Sequence, residues 1–567
     1  MRARIVIVGA ALVAAGCQPL AMTLHPASAM HRLDEASLPP AAAQYRLMLA
    51  RNEAEAFQVH VVLPAGPEPA PASPTPVAET PGPAASSAPA TAPAAAALVR
   101  LAIHTQSPPP APASRGVTLT SYQVLPVRYD GPPEHPVFKL PRGKTGWVPD
   151  VCWPTQVGYE APVPERAARA LGPRRVVTFL VDVRAAAAAP AGPRRYRLEF
   201  QRLDRGRPAG PLQSLDLTVD VMPFALPARL PFRTAVTWNW QIEKYLGREL
   251  TPQDRLAYLD FFLDHRLTPA SFFSKGVGFS PDELRRVVER GGNVFQIYCG
   301  GQNGKRLIDD RQKQSLEPQL RAWREQMKSA GALGDCYALI ADEPPPDAAD
   351  AIRANAAWLK SVFPELKMWV ASRPRAELMD VVDLWDVVTA HSTDFYRDHS
   401  HTGQALRAAH AAGREYWWFW SVEPYGPHPN CRLDDALGDT RAIGWLSWLE
   451  GVDGFEYFWA TDWSANADLR ELPWPGKATR WRSGLAGAGI LAYPDAAGRP
   501  MPSLRLVNLR DAMEDWAAAA LLGEPARRLA PANPRDPAQI EAARGAVYAA
   551  MASRQPQRPP GTLKSGG

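Results

Sequence analysis

Tyr337-Ala338-Leu339-Ile340-Ala341-Asp342-Glu343-Pro344 is an apolar run that ends abruptly in two carboxylates and a proline. A run this short, bounded by a breaker, reads as a buried strand rather than a helix. Pro344 has no N–H to give a ladder and keeps the residue before it out of helical geometry, so pairing stops where the carboxylates begin. Working outward, comparable runs occupy Ala235 to Trp238, Pro269 to Phe273 and Val294 to Tyr298 before it, and Lys367 to Ala371, Val387 to Ala390, Tyr416 to Trp420 and Gly454 to Phe458 after it. Helical signals fall between several of them, at Pro252 to Asp264, Pro281 to Arg290 and Asp347 to Val362, with Asp347 placed as an N-cap. Eight strands alternating with helices predict a (β/α)8 TIM-like barrel across residues 230–525. The first two runs are short and one holds Pro269, so an open doubly wound sheet also fits the pattern.

Upstream, the period changes to two. Phe57-Gln58-Val59-His60-Val61, Val99-Arg100-Leu101-Ala102-Ile103, Tyr196-Arg197-Leu198-Glu199-Phe200 and Leu215-Asp216-Leu217-Thr218-Val219 alternate apolar with polar. Such segments predict an antiparallel β-sandwich over residues 31–225 with solvated outer faces. The tract from Pro64 to Ala97 is Pro, Ala, Ser and Thr with almost no large apolar residue, and reads as a disordered insertion. Pro223, Pro227 and Pro231 mark the connector between the two regions. Beyond the eighth strand, helices are expected across Leu509 to Leu522, still within residues 230–525, and from Asp536, in a C-terminal segment 526–567 that frays beyond Ser553.

The 63 basic and 58 acidic residues of the 567 are spread without long single-sign runs, which argues against a nucleic-acid partner. Met1 to Arg4 is basic and Ile5 to Gly16 apolar but short, the pattern of an export signal. Ala14-Ala15-Gly16-Cys17 resembles a lipobox with Ala14 in place of the usual Leu, so residues 1–17 predict a cell-envelope lipoprotein lipidated at Cys17, anchored at the outer membrane or facing the periplasm. An ordinary cleaved signal fits the same residues. Cys152, Cys299, Cys336 and Cys431 lack the spacing of a metal site, and no GxSxG, HExxH or phosphate-binding glycine loop is present, so neither metal nor cofactor is expected.

Barrel enzymes place their chemistry at the C-terminal strand ends. Asp342 and Glu343 emerge there together, and their repulsion would hold a proton on the pair, as general acid chemistry near neutral pH needs. A polar strand-to-helix turn is the competing reading of the same triplet. Aromatic rings suited to sugar C–H faces cluster near other strand ends: Trp240, Trp418, Tyr457, Trp459 and Trp463, joined by His391, Asp394 and Tyr396 after strand six. Where such rings alternate along a strand, half point into packing. Trp445 and Trp448, three apart on a helix, read as packing.

Arg51-Asn52-Glu53-Ala54-Glu55-Ala56-Phe57-Gln58, His265-Arg266-Leu267-Thr268-Pro269, Asp342-Glu343-Pro344, Gly454-Phe455-Glu456-Tyr457-Phe458-Trp459 with Trp463, Pro502-Ser503-Leu504-Arg505 and Arg510-Asp511-Ala512-Met513-Glu514-Asp515 follow one another in this order. Together they resemble glycoside hydrolase family 123 over most of the mature chain. The resemblance implies a β-sandwich joined to a barrel, and retaining removal of β-linked N-acetylgalactosamine assisted by the substrate's acetamido group. It implies that Asp342 orients and polarises the acetamido N–H, while Glu343 protonates the leaving oxygen and then activates water. Glu456 stands where the family usually has an apolar residue, and Ala512 where Gly is common. Two other readings remain open: a double displacement with Glu343 as acid and Glu423 as nucleophile, which needs no acetamido group, and a noncatalytic glycan-binding surface lipoprotein. A glycan partner is common to all three, and the sequence leaves the oligomeric state open.

Overall fold

The computed structural model describes residues 22–33, 38–63, 99–107, 116–129, 146–155, 169–171, 174–204, 207–238, 242–270, 276–277, 279–298, 303–388, 407–421, 423–424, 428–463, 487–495 and 497–554. The Pro64 to Ala97 tract, Cys17 and the export segment lie outside the described residues.

Two sheets face each other in the N-terminal region. The first runs β1 (Thr23–Ser28), β3 (Glu53–Leu63), β8 (Arg174–Ala185), β5 (Val117–Tyr129), β6 (Gly146–Pro154), with β7 (Arg169–Leu171) beside β8. The second runs β10 (Arg207–Pro208), β9 (Gly192–Asp204), β11 (Gln213–Ala225), β2 (Gln44–Arg51), with β4 (Val99–Ser107) beside β9. Alternate side chains interlock between them: Leu47 and Leu49 meet Phe57, Val59, Val181, Leu198, Leu215 and Leu217 in one buried cluster. Each alternating segment read from the sequence lies in one of these strands. Two features differ from expectation. Strand β2 joins β11 in parallel, because a single residue, Asn52 at φ 57°, turns the chain from β2 into β3 of the opposite sheet. The first sheet is not solvated on its outer face either: all eleven residues of β3 are buried, because that face carries the barrel.

The barrel's strands are β12 (Arg233–Thr237), β13 (Thr268–Ala270), β15 (Phe295–Tyr298), β16 (Cys336–Asp342), β17 (Lys367–Ala371), β18 (Leu384–Val388), β19 (Glu415–Trp420) and β20 (Gly454–Tyr457). They pair in parallel in the order β13-β12-β20-β19-β18-β17-β16-β15, so the first strand meets the eighth. Among the described residues β13 and β15 are unpaired with each other, and β14 (Gly276–Val277) lies antiparallel on β15. The result is a nearly closed, barrel-like sheet, as the eight apolar runs predict. Strand β18 starts three residues earlier than the Val387 expected, since Leu384-Trp385-Asp386 carries a charge that masks its apolar character.

Outside the strands pack α1 (Ile242–Leu246), α2 (Pro252–Asp264), α3 (Pro281–Glu289), α4 (Asp310–Ser329), α5 (Ala349–Val362) and α6 (Leu437–Glu450). Thr251, Ser280 and Asp309 close capping boxes on α2, α3 and α4, each hydroxyl or carboxylate accepting from the backbone three residues on. Asp347 is no cap: it sits in a 3-10 turn over Pro346–Ala348 and pairs with Lys305 at 2.8 Å, while α5 starts without a side-chain cap. A 3-10 turn at Ala376–Leu378 stands where a full helix would follow β17, so among the described residues this shell has fewer helices than eight βα units would supply.

Helix α7 (Leu504–Leu522) begins five residues before the Leu509 expected, capped by Ser503 Oγ accepting from Leu506 N at 3.0 Å. Nearly every residue of it is buried, because it is wedged between sheet one and the barrel. Gly444 of α6 lets that helix press on α7, where a Cβ would meet the Ala512 carbonyl oxygen at 2.0 Å. The join is ionic as well as apolar. Arg441 of α6 contacts Glu55 of β3 and Asp515 of α7, Arg505 contacts Asp150 of β6, and Arg510 contacts Asp182 of β8. Two shorter helices, α8 (Pro525–Leu529) and α9 (Pro537–Arg554), come last among the described residues, and Arg544 of α9 reaches Glu53.

Candidate active site

The barrel lumen is layered. At its N-terminal end Tyr337 Oη donates to Glu415 at 2.8 Å and accepts from Arg233 Nε at 3.2 Å, while Lys367 pairs with Glu415 and Arg233 with Asp335. Above this lies a dry layer of Ala235, Leu339, Trp369, Leu384 and Trp417, all buried. Gly454 is part of the fit, since a Cβ there would lie 2.6 Å from the Trp417 ring.

The layer nearest the C-terminal ends is acidic. Asp342 ends β16, half-buried, and Glu343 follows it, exposed. A register irregularity in β16 between Leu339 and Ala341 and a left-handed Glu343 at φ 44° break the strict alternation that would send neighbouring side chains to opposite faces. A non-glycine residue in that region costs about 1–3 kcal/mol and persists where the surroundings over-determine it. Here Glu343 N donates to the Ala371 carbonyl at 2.9 Å, and Pro344 follows.

Burial first, and the neighbouring Glu343 carboxylate second, push Asp342 up to about 6. Glu423, half-buried beyond β19, is also raised, by burial and then by Glu343. Asp342 and Glu423 thus both lie within electrostatic reach of Glu343. Deeper in the lumen stand two carboxyls that the strand-end search passes over or treats only as a departure. Asp386 of β18 is fully buried and Glu456 of β20 is 5% exposed. Both are raised far above the carboxylate range, chiefly by burial; the Trp369 indole partly offsets the rise at Asp386, to which Asp342 adds, while Asp386 and then Asp342 add to the rise at Glu456. Asp386 was legible as the one charge in Leu384-Trp385-Asp386-Val387-Val388, on the same face as Leu384. Among the described residues no group of His, Cys, Asp and Glu is arranged to hold a metal ion.

The aromatic candidates separate from the carboxylates. Trp418 alternates with Trp417 and faces out of the lumen into the core beneath the helices, its Nε1 donating to Tyr416 Oη at 2.6 Å. Tyr457 is likewise fully buried in that outer core. Trp463 is fully buried, donates to the Ala492 carbonyl at 2.9 Å and stacks edge-on to Tyr245. All three occupy packing positions rather than a cleft: Trp418 and Tyr457 because neighbouring residues on a strand serve opposite faces, and Trp463, beyond β20, because it packs into the same outer core. Trp459 is 5% exposed, beside Phe458 and against Gly489. Trp240, His391, Asp394 and Tyr396 lie outside the described residues.

Residues 289–522, from the end of α3 to the end of α7, match the family model described as glycoside hydrolase 123, catalytic domain. No curated protein matches the chain. Among solved structures, a family 123 glycoside hydrolase from Clostridium perfringens, described for glycolipid glycan hydrolysis, superposes with a TM-score of 0.59 at 11% identity, covering 94% of this chain and 98% of that one. An endo-beta-1,4-mannanase from Thermotoga petrophila gives a TM-score of 0.27 at 12% identity over 51% of this chain and 77% of its own. The protein is therefore a glycoside hydrolase, acting on a glycan. Its catalytic domain is of the family 123 type, as the order of sequence pieces implies.

Proposed function

We propose that this is an exported, retaining β-N-acetylgalactosaminidase-like hydrolase that uses substrate assistance. The observation that carries the reading is the raised Asp342 beside Glu343 at the end of the fourth barrel strand. Above about pH 6 Asp342 is an anion and accepts the acetamido N–H. This makes the acetamido carbonyl oxygen a better nucleophile toward the anomeric carbon. As that C–O bond forms, the glycosidic C–O bond breaks and Glu343 gives its proton to the departing oxygen. Glu343 then takes a proton from water as the water opens the cyclic intermediate, and two inversions leave the anomeric configuration retained.

The position of Glu423 favours a second reading. Because it lies within reach of Glu343, it could serve as nucleophile in a double displacement with Glu343 as acid, on a sugar without an acetamido group. Hydrolysis of paired aryl β-glycosides with and without the 2-acetamido group decides between them. Substrate assistance requires turnover of the acetamido substrate alone and loss of it in Asp342→Asn. Turnover of both substrates, lost in Glu423→Gln and kept in Asp342→Asn, would establish the rival.

The basic-apolar start and Cys17 support an envelope lipoprotein, and the Clostridium perfringens structure, described for glycolipid glycans, makes membrane-bound glycans a natural substrate to try. Radiolabelled palmitate incorporated by the wild type and absent from Cys17→Ala is the expected result. Equal labelling of the two would remove the anchor from the proposal.

A further inference from the structure

Asp342 pairs in register with Ala371, and Ala371 with Asp386, so the two carboxyls stand at one level of the barrel on either side of β17. Glu456 is the next lumen-facing residue after Gly454, whose place against Trp417 fixes that face. Apart from the Trp369 indole beside Asp386, neither Asp386 oxygen nor Glu456 Oε1 has a hydrogen-bonding partner among the described residues. An ionised carboxylate buried without a cation costs several kcal/mol, so these groups hold their protons. The charges facing them are few. Asp342 comes from β16, Glu343 and Glu423 lie at the rim, and across the dry layer Arg233 is paired with Asp335 and Lys367 with Glu415. From β12 and β15 come Thr237 and Gln296, which are uncharged and whose side-chain polar atoms are also unpartnered.

We infer that Asp386 and Glu456 are positioning acids: they stay protonated while Asp342 is anionic and, from inside the lumen, present O–H groups that hold the Asp342 carboxylate in its working orientation. The inference rests on Asp342 being the group that engages substrate. An O–H of this kind reaches Asp342 by rotation of one side chain or through one water, since the space is lined by polar atoms that otherwise lack partners. A donor to one Asp342 oxygen stabilises its anion and leaves the other oxygen for the substrate. No net reaction occurs at either acid, and the proton each carries is neither gained nor lost over a turnover.

Two measurements on the full-length enzyme test this. The first is independent of activity: infrared difference spectra at pH 8 between wild type and Asp386→Asn, and between wild type and Glu456→Gln, should each show loss of a protonated-carboxyl C=O band that shifts in D2O. Loss of an ionised carboxylate band instead would overturn the inference. The second is kinetic. Asp386→Asn still has an N–H to give, so it should keep kcat within about 3-fold, a small change against the ~10²-fold cost of a misplaced reacting group. Its acid limb should not move. Asp386→Leu lacks any donor, so its kcat should fall about 10- to 100-fold with KM little changed and its acid limb should move to higher pH, in protein shown folded by circular dichroism. Equal kinetics for the two variants, or an unmoved limb in Asp386→Leu, would overturn it. Should Asp342→Asn prove fully active, the catalytic reading of Asp342 fails while the infrared result still stands on its own.

Discussion

Arg441 grips Glu55 with both terminal nitrogens, at 2.8 and 3.0 Å, and holds Asp515 at 2.8 Å with Nε. One buried guanidinium thus ties a sandwich strand, a barrel helix and the helix between them. Arg441→Met would leave three buried acids sharing one cation fewer, Glu55 and Asp515 keeping only Arg544 and Asp511 only Arg510, in a site that water does not reach. Breaking a buried pair in this way costs about 3–5 kcal/mol. Urea unfolding followed by tryptophan fluorescence should show a drop of that size, with both regions melting together; a loss below about 1 kcal/mol, the scale of an exposed pair, would deny Arg441 this role.

The acid limb of activity should follow Asp342. If it must be an anion to receive the acetamido N–H, kcat/KM should fall as pH is lowered through about 6. A pH profile on an aryl 2-acetamido glycoside checks this, and a limb near the ordinary aspartate value of 3.8 would contradict it.

Stability should run the other way at the same residue. The folded protein holds the Asp342 carboxyl up to about 6 against 3.8 for an unperturbed aspartate. Its contribution is fully present below the lower value and is lost as pH rises through the upper one. Asp342→Asn should therefore raise Tm over wild type at pH 8 and leave the two alike near pH 4, while abolishing hydrolysis. Scanning calorimetry at the two pH values reads the difference directly.

Gly444 is the contact point of α6 on α7, and Gly444→Ala forces the helices apart because the obstacle is the Ala512 backbone rather than a movable side chain. Overpacking of this kind costs about 1–3 kcal/mol or more. A denaturant midpoint unchanged from wild type would show that the two helices slide freely.

Trp418 and Trp463, whose indoles donate to Tyr416 and Ala492, should behave as core. Phe at either position should lower Tm by several degrees with KM held within a factor of about two, since losing a buried hydrogen bond costs on the order of 1 kcal/mol. A large KM change at unaltered stability would return these rings to the substrate.

These expectations show where sequence suffices and where it does not. The eight barrel strands were legible because buried parallel strands are continuous apolar runs, and Pro344 marks the end of the fourth. The Asp342 and Glu343 pair was legible because charge cannot enter such a run until it ends. Asp386 breaks that rule. It sits inside a strand, where a carboxyl survives only by keeping its proton, and the apolar residues on either side of it are the one local hint that it is not a surface charge. The aromatic positions failed for a geometric reason: Trp417 and Trp418 are alike in sequence, yet only the closed sheet decides which faces the lumen. Burial of β3 on both faces was equally hidden, since Glu53 and Glu55 look solvent-bound until Arg544 and Arg441 arrive from the far end of the chain.

The floor of the barrel has a kinetic consequence. Tyr337, Leu339, Trp369 and Trp417 are all buried and shut the lower end of the lumen above a charge-balanced plug. That floor offers the acids above it no polar path downward among the described residues, which slows their hydrogen exchange with bulk water from that side.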